Sequence, residues 1–406
     1  MHFFKQLNIE DISGVAYKNM TLKKDIIRYF DSKERASIAE CGEAFNLSTP
    51  KITSIINELI EDGVVTESGK VESTGGRRAS IYGLVPDSCF FLGVEVKYNS
   101  INIAIMDFKK QLVKDIERTN FKLENSQDSL NNLIEAIKEY MKNPPVPKEK
   151  ILGIGINLSG RINFSTGYSY SFFHFQEDPL SRVIENEIGI QTFIENDSRA
   201  MAYGEFYSGA VTSEKNVIFI NLDYGIGLGI LVNGQMYYGK SGFSGEFGHI
   251  PFFQNEILCH CGKKGCLETE ASGTALVQLC KTKLAAGSSS ILSKKVPDIN
   301  AIKLEDIIAA SKEDDTLAIE IIGEIGEKLG KGMATLINLF NPELLIIGGT
   351  LASTGDYIRL PIKSALNKYS LSMVNNDTQL KISKLGEHAG VIGACLHVRN
   401  KIFSIN

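Results

Sequence analysis

Residues 245–268 read GEFGHIPFFQNEILCHCGKKGCLE, and the spacing of histidine and cysteine in that run decides how the chain must fold around it. Cys259, Cys261 and Cys266 fall within eight residues, and His249 lies ten residues before the first of them. Three thiolates and one imidazole complete a tetrahedral Cys3His shell for zinc. Gly262 and Gly265 allow the sharp reversal that returns Cys266 to the ion. His260 competes as a ligand, but both of its neighbours already ligate, so it is expected to point outward. The chain has seven cysteines, an odd number, and their clustering in a reducing compartment points to metal rather than disulfides. A closed shell implies a structural ion.

Outward from that run, 406 residues predict two or three compact units. An apolar share of 43% and a charged share of 22% exclude wholesale disorder. The formal net charge of -5 gives no sign of nucleic acid, yet a small basic patch on an acidic protein remains compatible with it. No stretch approaches the ~20 apolar residues of a membrane span. Met1–Glu10 carries Lys5, Gln6 and Asn8 and has no signal-peptide core, so a cytoplasmic protein is expected. From Cys89 onward, buried-strand runs (Phe90–Val94, Ile101–Met106, Ile151–Ile156, Val217–Leu222, Leu344–Ile347) alternate with helical stretches, the pattern of an α/β fold. Phe90–Met106 and Val217–Val232 both read strand, tight turn, strand. That internal echo suits a fold of two related halves facing a cleft.

The first 86 residues have a different texture. Leu22, Ile26, Ile27 and Phe30 recur at helical spacing. Ser37-Ile38-Ala39-Glu40 has the spacing of a capping box, and Ile38, Cys41 and Phe45 give the short helix after it one apolar stripe. Asn46-Leu47 makes a turn. Ser48 or Thr49 can cap a third helix, with Pro50 tolerated in its first turn. That helix is expected to bury Ile52, Ile55, Ile56, Leu59 and Ile60 and to present Thr49, Lys51, Thr53, Ser54 and Asn57. Such hydrogen-bonding groups suit a recognition helix in a major groove. Val64-Val65-Thr66 and Ile81-Tyr82-Gly83-Leu84 then form a hairpin. At its tip, Gly75-Gly76-Arg77-Arg78 offers two guanidiniums to phosphates or a narrow minor groove. The predicted DNA contacts are Thr49, Lys51, Ser54, Arg77 and Arg78, and the module reads as a winged helix-turn-helix.

Gly245-Glu246-Phe247-Gly248-His249, followed by Cys-x-Cys-Gly-x-x-Gly-Cys-x-Glu ending at Glu268, resembles the signature of the ROK family, which groups bacterial sugar repressors with sugar kinases. The resemblance extends to Ile194-Glu195-Asn196-Asp197, Asn341-Pro342-Glu343, Ile347-Gly348-Gly349 and Ala389–Ala394. It implies an α/β, actin-like two-lobed sugar-kinase fold preceded by an α+β winged helix-turn-helix domain, the latter a mark of the repressor branch. It further implies sugar contacts from Asn196, Asp197, Glu246, His249 and Glu268 in the cleft between lobes. Carboxylates accept charge-assisted hydrogen bonds from sugar hydroxyls. His249 can bind zinc through one ring nitrogen and donate from the other. Gly160 is a weaker candidate, and His174 approximates the place of a kinase's sugar-binding asparagine.

The family's kinases resemble one another in an Asp-x-Gly-Gly-Thr turn after the first strand, where this chain reads Glu95-Val96-Lys97-Tyr98-Asn99. Its second phosphate turn, Asp223-Tyr224-Gly225-Ile226-Gly227-Leu228-Gly229, keeps glycines but places Tyr224 where threonine is usual. Asp197 matches the kinase's catalytic base. The expected protein is therefore a cytoplasmic, zinc-containing, non-enzymatic repressor of sugar-metabolism genes. It would bind duplex operator DNA and a sugar or sugar phosphate as a homodimer or dimer of dimers, away from any membrane. The alternative is a bifunctional kinase with a DNA-binding domain. Expected boundaries are 1–86 for the winged domain, 87–196 plus 387–406 for a smaller lobe, and 197–386 for a larger lobe with the zinc site.

Overall fold

A computed structural model describes residues 3, 4, 7, 14–70 and 79–405. Helix α1 (Gly14–Lys33) leads into the two-residue strand β1 (Ala36–Ser37), helix α2 (Ile38–Phe45) and helix α3 (Thr49–Glu61). The capping box is formed in both directions. Ser37 N donates to Glu40 Oε2 at 2.7 Å and Glu40 N to Ser37 Oγ at 3.3 Å. Asn46, left-handed at φ 51°, stops α2. Ser48 precedes α3 but makes no side-chain cap, leaving Pro50 in the first turn as the local start signal. Ile52, Ile55, Ile56 and Leu59 are buried. Ile60, expected inside, is 37% exposed, because one residue beyond Leu59 the helix has turned ~100° away from the apolar stripe. Strands β2 (Val65–Lys70) and β3 (Ser80–Leu84) pair antiparallel, and β1 adds to β3, giving the sheet of the winged module. Arg77 and Arg78, expected at the tip of the hairpin, lie outside the described residues.

The chain forms two compact units: Met1–Ile156 with Phe175–Ile194 and Ala394–Asn406, and Asn157–His174 with Glu195–Gly393. In the first, the winged module is not an appendage. Ile26, Ile27, Phe30, Ile52 and Leu59 belong to one buried cluster with Phe91, Phe108, Val398 and Phe403. Asp31 of α1 is held there by Arg399, whose Nη2 lies 2.5 Å from Asp31 Oδ1.

Strands β4 (Phe90–Val96), β5 (Ser100–Asp107), β6 (Glu117–Asn120), β7 (Ile151–Leu158) and β10 (Thr192–Asn196) form one sheet in the order β10-β7-β4-β5-β6. Between β7 and β10 lies a small hairpin, β8 (Ile162–Asn163) with β9 (Tyr168–Ser169). The other sheet contains β11 (Val217–Leu222), β12 (Ile226–Val232), β13 (Gln235–Met236), β14 (Leu344–Gly348) and β15 (Gln379–Ile382), ordered β13-β12-β11-β14-β15. Counted from its own first strand, each sheet runs 3-2-1-4-5, so the echo noted in the sequence is a topological repeat. β11 and β12 are antiparallel, whereas β11, β14 and β15 are parallel. Strands β11 and β14 are buried along their whole length, with Asn221 the one polar residue between them, as strands covered on both faces are. Among the described residues no helix is long and apolar enough to cross a membrane.

Candidate functional site

The cysteine run folds back antiparallel on the segment that precedes it through isolated bridges, Pro251 with Cys266 and Leu258 with Lys264. Leu267 N donates to Ile250 O at 2.9 Å and Phe253 N to Gly265 O at 3.0 Å. Gly265 has φ 73°, and a Cβ there would sit 2.1 Å from Phe253 O, so this reversal requires glycine. Gly262 N donates to Cys259 O at 2.9 Å and closes the knuckle. As a result the ligating atoms of His249, Cys259, Cys261 and Cys266 all lie within 4.8 Å of one another. Cys261 Sγ and Cys266 Sγ are 3.6 Å apart, as are Cys259 Sγ and His249 Nδ1. Tetrahedral zinc with ~2.3 Å bonds to sulfur separates its ligands by about 3.8 Å, so the four residues fit the ion. Burial, then the adjacent Cys261 and Cys259 thiols, push the Cys266 thiol up to about 12. The Cys259 thiol is raised as well whereas Cys261 is lowered, and a dication is the charge that would let all three ionise together. His249, Cys259, Cys261 and Cys266 are a zinc-binding cluster.

His249 faces two ways. Its Nδ1 addresses Cys259, while its Nε2 lies 3.8 Å from Glu246 Oε2. The Glu246 side chain is 46% exposed. Glu268 is more engaged: Oε2 accepts from Ile226 N at 2.9 Å, and Oε1 lies 3.1 Å from Nδ1 of the largely exposed His260. Each carboxylate oxygen keeps a second lone pair for a hydroxyl donor.

Asn196 and Asp197 start helix α4 (Asp197–Ser208). Asn196 is its N-cap, with Oδ1 accepting from Ser198 N at 3.0 Å and Arg199 N at 3.1 Å. Its Nδ2 donates to Gly160 O at 3.0 Å and to Asp197 Oδ1 at 2.9 Å. All four of its hydrogen-bonding positions are thereby used inside the protein, which makes Asn196 a holder of Gly160 and Asp197. Asp197 Oδ2 accepts from Ser159 Oγ at 2.6 Å. Ser159 was visible in the sequence only as part of the Leu158-Ser159-Gly160 turn. His174, further along the same stretch, is exposed.

The two phosphate-type turns differ in detail. Glu95, 2% exposed, accepts from Asn102 Nδ2 at 2.7 Å, and Lys97 Nζ stands 4.0 Å away from it. Tyr98, at the tip, is 58% exposed. In the second turn Asp223 Oδ2 accepts from Thr350 Oγ1 at 2.5 Å, and Tyr224 OH lies 2.9 Å from Glu305 Oε2. A methyl on Gly227 would sit 1.9 Å from Ser198 Oγ, and one on Gly229 2.4 Å from Ala202 Cβ. Those two glycines serve the close packing of β12 on α4.

In the helix-turn-helix, Thr49, Lys51 and Ser54 are exposed along α3. Lys51 Nζ reaches Asn19 Oδ1 at 3.1 Å, and Ser54 Oγ reaches Glu58 Oε1 at 3.4 Å. Both contacts are at the surface and exchangeable for a nucleic-acid partner.

A helix-turn-helix with a two-stranded wing, joined to a sugar-kinase-like α/β core stapled by a Cys3His cluster, defines a DNA-binding regulator class. Family comparison agrees: the description "ROK family" matches residues 91–401, and "winged helix-turn-helix DNA-binding" matches residues 21–66. The chain belongs to the ROK family. It is similar to the xylose repressor of Caldicellulosiruptor bescii, 29% identical over 91% of this chain and 92% of that protein. It is also similar to the glucokinase of Halalkalibacterium halodurans, 30% identical, over 75% of this chain and 93% of the kinase. A solved ROK family transcriptional regulator, a homolog of E. coli MLC protein, superposes with a TM-score of 0.80 at 26% identity, covering 95% of this chain and 97% of that one. The similarity that spans both modules is thus to regulators of sugar metabolism.

Proposed function

We propose that this protein is a cytoplasmic repressor of sugar-metabolism genes that binds operator DNA and releases or tightens it in response to a sugar or sugar phosphate, without phosphorylating that ligand. In this reading residues 1–86 read DNA through Thr49, Lys51, Ser54, Arg77 and Arg78. The ligand is bound by Asp197, Glu246, His249 and Glu268, with Asn196 holding their frame. Residues 87–196 plus 387–406 and residues 197–386 act as the lobes of the sensor. A symmetric homodimer, or a dimer of dimers, presents two reading heads to a roughly palindromic site.

The observation that carries the non-kinase reading is the contrast between the sugar side and the phosphate side. Glu246 and His249 stand together with an exposed carboxylate. On the phosphate side, the first turn reads Lys97-Tyr98-Asn99 in place of the two glycines and hydroxyl of the family's kinases, with Tyr98 58% exposed at its tip. Phosphates are held by backbone N–H groups that glycine lets them approach closely, and bulky side chains in the turn deny that approach. Asp197 with its Ser159 partner favours the bifunctional kinase as the second reading.

The test selects duplexes from a random pool with the full-length protein and then titrates the winners with free sugars and sugar phosphates. A palindromic consensus whose affinity one ligand shifts supports the proposal. Binding that no sugar alters would overturn the sensor assignment.

A further inference from the structure

The most unusual group near the ligand residues is Arg199, a charged side chain in the first turn of α4 that is only 4% exposed. Its Nε donates to Glu195 Oε1 at 2.7 Å, Nη1 to Gly242 O at 2.7 Å and Nη2 to Ile162 O at 3.2 Å. The guanidinium lies over the Tyr238 ring, 5.6 Å from its centroid. Glu195 Oε1 also accepts from Asn196 N at 2.7 Å, so the ion pair reaches the residue that caps the helix.

A buried ion pair of this kind is a weak source of stability, because desolvation offsets most of its attraction. What the guanidinium does that an apolar residue cannot is hold two backbone carbonyls from separate loops at once. One is Ile162, in the β8–β9 hairpin, which begins just after Gly160 and whose Ser171 Oγ accepts from Arg161 N at 3.0 Å. The other is Gly242, left-handed at φ 81°, four residues before Glu246. A Cβ on Gly242 would lie 3.0 Å from Ile162 O, so the two loops touch where the guanidinium fork meets them. Neither segment has much of a ladder of its own: β8 and β9 are two residues each, and residues 237–246 contain no strand.

We infer that Arg199 is the positioning residue of the ligand site. It fixes the spacing between the Gly160–Asp197 edge and the Glu246–His249 edge by tying both loops to α4. The inference rests on the preceding reading that these residues bind a sugar. Affinity here depends on preorganisation, since loops left to order themselves on binding lose free energy to that ordering. Lysine at 199 retains the charge opposite Glu195 but cannot span two carbonyls with a planar fork.

The experiment uses full-length protein with D-glucose, D-xylose and D-glucose 6-phosphate as probes, ranked first on wild type. For the probe that binds, Arg199→Lys should raise Kd by about thirtyfold or more while zinc stays at one per chain and ligand-free operator binding is unchanged. Amide exchange should quicken in residues 159–171 and 237–246 and stay unaltered in α1 and α3, which a general loss of stability would not spare. Gly242→Ala displaces one of the held carbonyls without touching the ion pair. It should weaken the same probe and is the deciding variant if Arg199→Lys does not fold. Wild-type Kd in whichever of the two folds overturns the positioning role and leaves the sugar site standing, provided Glu246→Ala still weakens binding. Failure of wild type to bind any probe, with Glu246→Ala indistinguishable from it, removes the sugar reading and this inference with it.

Discussion

The turn between β4 and β5 and the turn between β11 and β12 occupy equivalent places in two sheets of identical strand order, yet they have been filled by opposite means. In the first, side chains have taken over. Lys97 N donates to Ser100 O at 2.8 Å, Glu95 is buried beneath with Asn102, and Tyr98 projects from the tip. In the second, the glycine backbone survives but its Ile226 N–H is occupied by Glu268. The shared topology builds the core of each sheet, whereas the two three-residue turns differ in their chemistry. The proposed ligand residues Asp197, Glu246 and His249 sit on neither turn, so the proposal separates binding from phosphoryl transfer. That separation can be attacked at several points.

The largest effect is expected at the metal. Cys259→Ser with Cys261→Ser removes half of the shell, so zinc should fall from one per chain to none and the sugar response should disappear, with the two five-stranded sheets intact. Structural zinc contributes on the order of 10 kcal/mol to local folding in small zinc domains, so retention by the remaining ligands is not expected. Stoichiometric zinc by elemental analysis of that variant would break the assignment.

Next is Glu246→Ala. Losing a charge-assisted hydrogen-bond acceptor of ~1.5–3 kcal/mol should weaken sugar binding roughly tenfold to a hundredfold and leave ligand-free DNA binding near normal. Unchanged sugar affinity, measured by calorimetry, would remove Glu246 from the site. A smaller effect sharpens the comparison of turns directly. Grafting Lys97→Gly, Tyr98→Gly and Asn99→Thr restores glycine and a hydroxyl to the first turn, yet should produce no ADP, because the second still carries Tyr224, tied to Glu305, where threonine is usual. ADP release by the graft would locate the whole barrier in the first turn.

The smallest effect lies in the winged module. Ser37→Ala should cost about 1 kcal/mol through loss of the cap. Hydrogen bonds from Ser37 backbone and side chain hold the Glu40 carboxyl below its ordinary value. Its stabilising contribution is therefore fully present above about pH 4.3 and is lost as pH falls through the lower, folded value. Urea melts of wild type and Glu40→Gln should converge toward acid. A difference that grows on acidification would contradict the sign.

Much of this was legible from residues alone. The zinc ligands were readable because all four lie within one short run, and Ser37 with Glu40 announced α2 through spacing that permits only one reciprocal geometry. Asn196 was expected as a sugar contact, but the use of its whole side chain inside the protein was not legible, since its partner Gly160 becomes a neighbour only on folding. Ser159 and Arg199 were missed for the same reason: each acts on atoms 38 or more residues away, Asp197 Oδ2 and Gly242 O respectively. The only local signal for Arg199 was its place four residues after Glu195, a spacing shared by many surface pairs. Ile60 was misjudged because an apolar residue beside a stripe looks like part of it until the helix is drawn in three dimensions.

The most direct test of the central claim is ADP release by the full-length protein with ATP, magnesium and the sugar that shifts operator binding. The account predicts ligand-dependent DNA affinity with no turnover above a protein-free control, in wild type and Asp197→Asn alike. Turnover in the usual kinase range of ~1–100 per second, abolished by Asp197→Asn, would contradict it and make the protein a kinase that also reads DNA.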